Sequence, residues 1–207
     1  LTMFSQEGEA PWHLWVPALA QITLMGRVLK GEALAPWDVA VPLLVSALLV
    51  AACLALVPRG WRALRAMPWQ TLAIFGGIGG LLALHWLTFY QSIKLANASV
   101  AATCMAIAPA VTALIEPSIT RTRFVTRNFV LGVLIVPGVL LVVGGIAAEM
   151  RAGFWLGVLS AGLIAVVSSL NKRYLNNEPV LAVTAIEVAA GALLLTVAMP
   201  VFAADGF

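Results

Sequence analysis

The sequence predicts an all-α integral membrane protein of about seven transmembrane helices, on three observations. Of its 207 residues, 62% are hydrophobic and only 10% are charged, whereas a soluble domain needs about 25% charged residues to solvate its surface. Ala66 to Ile93, Leu95 to Ile115 and Val130 to Ala148 contain no Asp, Glu, Lys or Arg, and each reaches the roughly 18 apolar residues that cross a bilayer. Strand-like alternation is absent, and a lipid-exposed backbone must satisfy its own hydrogen bonds, so the spans are helices. Mean hydropathy is +1.01.

The first helix, about residues 12–29, contains Gln21, Arg27 and Lys30 and reads as a span or as an interfacial segment. The second, about 36–57, starts at Pro36 and stops at the Pro58-Arg59-Gly60 break. The third, about 68–92, follows Pro68. The fourth, about 97–119, starts at Asn97 and ends before the basic stretch Arg121 to Arg127. The fifth and sixth, about 127–148 and 152–174, meet at Arg151, and the seventh, about 180–203, follows the Asn176 to Pro179 turn. Trp12, Trp15, Trp37, Trp61, Trp69 and Trp155 fall at or near these edges, where an amphipathic ring sits at the headgroups. Trp86, inside the third helix, is the exception.

Charge orients the array. If the segments alternate, Arg59, Arg62, Arg65, Arg121, Arg123, Arg127, Lys172 and Arg173 share one side, against Arg27, Lys30, Lys94 and Arg151 on the other. The positive-inside rule makes the first side cytoplasmic. The expectation is a multi-pass protein of the plasma (inner) membrane with its N-terminus inside. The net charge of +3 reflects this topology and no nucleic-acid partner.

Chemistry-bearing residues are few. H-E-x-x-H, G-x-S-x-G and phosphate-loop patterns are missing, and no enzyme, cofactor or metal is expected. Cys53 and Cys104 lie in apolar segments and suit packing. Polar groups within apolar helices are costly and mark candidate solute paths. The third helix is richest: Gly76, Gly77, Gly79 and Gly80 precede His85, Trp86, Thr88, Tyr90, Gln91 and Lys94. Positions 77, 80, 84, 88 and 91 fall on one face, small first and polar after. That face either receives a neighbouring helix through Gly76-x-x-x-Gly80 or lines a cavity. Glu187, about two turns inside the seventh helix, is a candidate proton- or cation-coupling residue or a structural hydrogen-bonding partner. Glu116 reads as an anchor that reaches toward Arg121 or Arg123. Pro109, Pro137 and Gly138 are hinge candidates, each proline freeing the carbonyl four residues earlier, at Met105 and Val133.

From about Met67 onward, His85-Trp86-Leu87-Thr88-Phe89-Tyr90-Gln91-Ser92-Ile93-Lys94-Leu95-Ala96-Asn97-Ala98-Ser99-Val100-Ala101, then Ala108-Pro109, Glu116-Pro117, Gly132, Pro137-Gly138-Val139 and Ser169 to Tyr174 appear in order. This set resembles the EamA-like drug/metabolite transporters. The resemblance implies a partial version of a ten-helix inverted-repeat fold with a central solute cavity. Residues 67–150 would complete a first repeat and 151–207 would supply two helices of a second, with helices eight to ten missing. Asn128 departs from the acidic residue expected there. Residues 1–66 form two helices of uncertain origin, and residues 1–65 weakly resemble the C-terminal helices of a sodium-efflux-type ABC exporter permease.

The resulting expectation is secondary transport of a small organic metabolite (an amino acid, nucleoside or drug-like solute), in the export direction. His85, Trp86, Tyr90, Gln91, Asn97 and Thr103 are the expected substrate-binding residues and Glu187 the coupling residue. The partners are the solute, the lipid bilayer and, as a way to supply missing helices, a second copy in a homodimer. An ABC permease component and a non-transporting membrane fragment are the alternatives.

Overall fold

The computed structural model describes residues 58–175 and 178–204, with isolated positions 41, 44, 45 and 48. The helices expected at 12–29 and 36–57 therefore lie largely outside the described residues, as does Cys53. The described helices are α1 (Pro58–Ala66), α2 (Trp69–Leu95), α3 (Ala98–Met105), α4 (Ala108–Thr120), α5 (Thr126–Val133), α6 (Val136–Gly144), α7 (Arg151–Tyr174) and α8 (Val180–Ala204), with a 3₁₀ turn at Ala148–Met150. No strand occurs among the described residues. The chain divides into two compact units, residues 1–65 with 192–207, and residues 66–191.

In the first unit, the stretch read from the sequence as a break is helical: α1 starts at Pro58, where a first-turn proline needs no N–H. The Arg65 guanidinium lies 4.9 Å from the centroid of the Trp61 ring, an arrangement suited to an interfacial segment.

The second unit is organised around α7, which packs on α2, α3 and α4; α5 packs on α4, and α6 on α3. Among the described residues Trp69–Leu95, Ala98–Thr120 and Ala148–Tyr174 are long and apolar enough to cross a membrane, while Thr126–Leu141 and Val180–Leu195 are shorter apolar segments. Between membrane helices there is no hydrophobic driving force, so close contact of small residues decides the packing. On α7, Gly153, Gly157, Ala161, Ala165 and Ser169 recur every four residues and are all buried. A Cβ on Gly157 would lie 2.8 Å from Cys104 Sγ, and one on Gly153 would lie 2.7 Å from the Ala96 backbone nitrogen. Only glycine allows these approaches. On α2 it is Gly79 that packs, its Cα side pressed against the Glu187 backbone of α8, whereas Gly76 and Gly77 meet nothing within 4 Å. The face expected at positions 77, 80, 84, 88 and 91 is therefore not the packed one: Gly77 is exposed, Leu84 is 42% exposed, and Thr88 Oγ1 bonds back to Leu84 O and His85 O.

The fourth and fifth sequence helices are each broken in two. Asn97 caps α3, its Oδ1 accepting from Val100 N at 2.9 Å. The chain then tightens, with Ala106 N donating to Thr103 O and Ile107 N to Cys104 O, before Pro109 enters the first turn of α4. The same device recurs before Pro137, where Ile135 N donates to Gly132 O between α5 and α6. Proline has no N–H for the carbonyl four residues back and its ring crowds that carbonyl, so the helix breaks one turn earlier. α4 closes on Arg121 in the left-handed region, φ 56°.

Candidate functional site

Where α4 meets α5 and the C-terminal half of α7, a cavity of about 930 Å³ opens, within the usual size range for small-molecule sites. Its apolar wall includes Ala113, Leu131, Ile135 and Ile164; its polar groups are Thr112, Glu116, Thr122, Arg123, Asn128, Ser168 and Lys172. Two sequence devices shape it. The break at Pro109 turns α4 along one side, and Gly132 lets α5 approach α4 so closely that a Cβ there would lie 2.8 Å from Ala110 N. With Arg123 and Lys172 against Glu116, the cavity carries one net positive charge.

Glu116 Oε1 pairs with Lys172 Nζ at 2.5 Å, the lysine side chain 59% and the glutamate 26% exposed. The sequence had pointed Glu116 toward Arg121 or Arg123; instead it crosses to α7. Helices α4 and α7 lie side by side, so Lys172 faces Glu116, whereas Arg121 and Arg123 sit past the end of α4. Next to Lys172, Arg173 Nη1 donates to Ile119 O at 2.6 Å and fastens the end of α7 to the end of α4.

Of the residues the sequence offered for substrate binding, coupling or hinging, Pro109 lines the cavity and the others lie elsewhere; Glu116, read there as an anchor, lines it too. His85 is 6% exposed and is held by α7. Its Nδ1 lies 2.9 Å from both Ser160 O and Ser160 Oγ, and Ser160 Oγ donates to His85 O at 3.0 Å. A carbonyl oxygen only accepts, so Nδ1 carries the hydrogen. Trp86 is 43% exposed and stacks on Tyr90, their ring centroids 5.7 Å apart, with Phe89 edge-on to both. Gln91 is half-buried. Asn97 is spent on its cap, with Nδ2 3.8 Å from Met150 Sδ, and Thr103 Oγ1 donates back to Ser99 O at 2.8 Å. Pro137 and Gly138 are exposed beside the α5–α6 break.

Glu187 is 8% exposed. Its Oε2 accepts from Asn171 Nδ2 of α7 at 3.4 Å, while Glu187 Oε1 and Asn171 Oδ1 are buried without a hydrogen-bond partner. Ser160 and Asn171 were missed in the sequence, although both are polar residues within an apolar helix, the signal that singled out Glu187. Ser168 and Lys172 were legible only as the end of a helix; their place in a cavity depends on where α4 packs.

A sequence model of the EamA-like transporter family matches residues 19–144, more than half of the chain. The chain belongs to that family. No curated protein and no solved structure matches significantly. The EamA-like match begins well before Met67, where the sequence resemblance starts, and so extends through α1 into residues that had been given an uncertain origin. None of the comparisons shows the resemblance of residues 1–65 to an ABC permease. At its other end the EamA-like match closes at Gly144, the last residue of α6. The cavity thus joins α4 and α5, inside the matched region, to α7 beyond it. The EamA-like family assigns the chain to the drug/metabolite type of membrane transporter.

Proposed function

We propose that this chain exports a small organic metabolite by secondary transport, loading it from the cytoplasmic side into the cavity between α4, α5 and α7. The observation that carries this reading is the cavity itself: about 930 Å³, mostly apolar walls, and a few converging polar groups headed by the Glu116–Lys172 pair. Its polar rim includes Arg123 and Lys172, two of the basic residues that the positive-inside rule assigns to the cytoplasm. A cavity filled from that side supports export. The helix breaks at residues 106–107 and 134–135 flank it, and broken helices beside a solute site are the usual joints of alternating access. Amino acids, nucleosides and drug-like solutes all match the volume and the mixed lining.

The test is flux in proteoliposomes, with alanine, uridine and ethidium as labelled probes. Wild-type protein is expected to move at least one of them above empty liposomes. Ser168→Trp, which fills the cavity from an exposed wall position, is expected to lower that flux at least tenfold in protein of unchanged helicity. Flux unaffected by the indole would rule out this cavity as the path.

A further inference from the structure

The Asn171–Glu187 contact is a hydrogen-bonding arrangement with one hydrogen missing. Asn171 Nδ2 donates to Glu187 Oε2. The remaining oxygens, Glu187 Oε1 and Asn171 Oδ1, are both acceptors, both buried, and both without a donor. An ionised carboxylate and an amide oxygen cannot satisfy one another, because neither brings a hydrogen. A carboxylic acid can: once Oε1 becomes O–H, it donates to Oδ1 while Nδ2 continues to donate to Oε2. One proton then satisfies both orphaned oxygens.

We propose that Glu187 and Asn171 together form a proton-binding site, with Glu187 carrying the proton and Asn171 positioning it. Among the described residues no second hydrogen-bond partner of the Glu187 carboxyl occurs. Gly79 of α2 presents only backbone to Glu187, and Gly191 of α8 packs on Gly79 O. The other titratable groups on these three helices are His85, Tyr90, Lys94, Arg151, Lys172, Arg173 and Tyr174. His85 bonds Ser160, Lys172 bonds Glu116 and Arg173 bonds Ile119, and among the described residues it is Asn171 that bonds the Glu187 carboxyl. A metal ion does not fit as well, since two protein oxygens are too few for a hard cation, which takes six or more.

Position links this site to the cavity. Asn171 and Lys172 are adjacent on the last turn of α7, the first bonded to Glu187 and the second to Glu116 on the cavity wall. A proton arriving at or leaving Glu187 changes the bonding of Asn171 and moves the turn that holds Lys172. Coupling of this kind rests on the transport reading above; proton binding does not.

Infrared difference spectra of the full chain in lipid, acid minus alkaline, test the site directly. Wild type is expected to show a reversible carboxyl C=O band absent from Glu187→Gln. Asn171→Leu is expected to move that band in frequency, because the acid loses its amide partner, an effect that a purely structural role would not produce. Identical spectra for wild type and Glu187→Gln, or an unmoved band in Asn171→Leu, would overturn the proposal. Proton-gradient-driven flux of the alanine, uridine and ethidium probes is expected to be lost in Glu187→Gln. If the wild type moves none of them, the transport reading fails, while the spectra still decide the proton site.

Discussion

Two of the polar junctions that α7 makes differ in one respect. At His85–Ser160 the imidazole Nδ1 donates to Ser160 and the Ser160 hydroxyl donates back to His85 O, and neither side chain appears among the buried groups left without a partner. At Asn171–Glu187 a single 3.4 Å hydrogen bond leaves two oxygens buried and unmet. A closed junction holds two helices in register, because every alternative geometry strands a polar group away from water. An open junction holds less, because two of its polar atoms gain no hydrogen bond from the contact. On the reading proposed above, the first is a clamp and the second is where the protein changes state.

This contrast fails or sharpens under substitution, the largest effect first. Gly157→Leu drives a side chain into Cys104 and Ser92 beside the closed junction and is expected to cost about 3 kcal/mol or more, read as lost monodispersity and a lower midpoint in detergent unfolding. Gly76→Leu, with nothing within 4 Å, is expected to change stability by no more than about 0.5 kcal/mol. Equal losses would mean that the small-residue stripe of α7 is not what holds the unit together.

The junctions themselves come next. His85→Phe keeps the ring volume but removes the donor to Ser160 and is expected to cost about 1–3 kcal/mol. Glu187→Gln removes a buried, half-satisfied carboxylate and is expected to leave stability unchanged or raise it. Thermal unfolding of both variants in one detergent checks the sign of each. The smallest effect belongs to Asn97→Ala, which deletes the α3 cap and is expected to cost about 1 kcal/mol; this sets the scale of one hydrogen bond away from both junctions.

Much of the fold was legible because bilayer length and charge-free runs constrain it tightly. The ends of α2 and α7, the cap at Asn97 and the breaks before Pro109 and Pro137 all follow from local rules that need no knowledge of neighbours. The site was less legible, for a definite reason. His85, Trp86 and Tyr90 drew attention as polar or aromatic residues in one apolar helix, yet which face of α2 is packed depends on α7. The four-residue repeat from Gly153 to Ser169 was present in the sequence and would have shown it. That repeat buries His85, leaving Trp86 exposed, and it brings Lys172 rather than Arg121 to Glu116. Glu187 was recognisable alone, because an acidic residue two turns inside an apolar helix is costly wherever its neighbours lie. Its partner Asn171 became visible only once α7 and α8 were packed.

The most direct measurement of the central claim compares His85→Phe with Glu187→Gln in the same proteoliposomes, with proton-gradient-driven flux normalised to folded protein. His85→Phe, although less stable, is expected to retain flux per folded molecule, and Glu187→Gln, although no less stable, is expected to lose it. The reverse pattern, with flux lost at the closed junction and kept at the open one, would contradict the account.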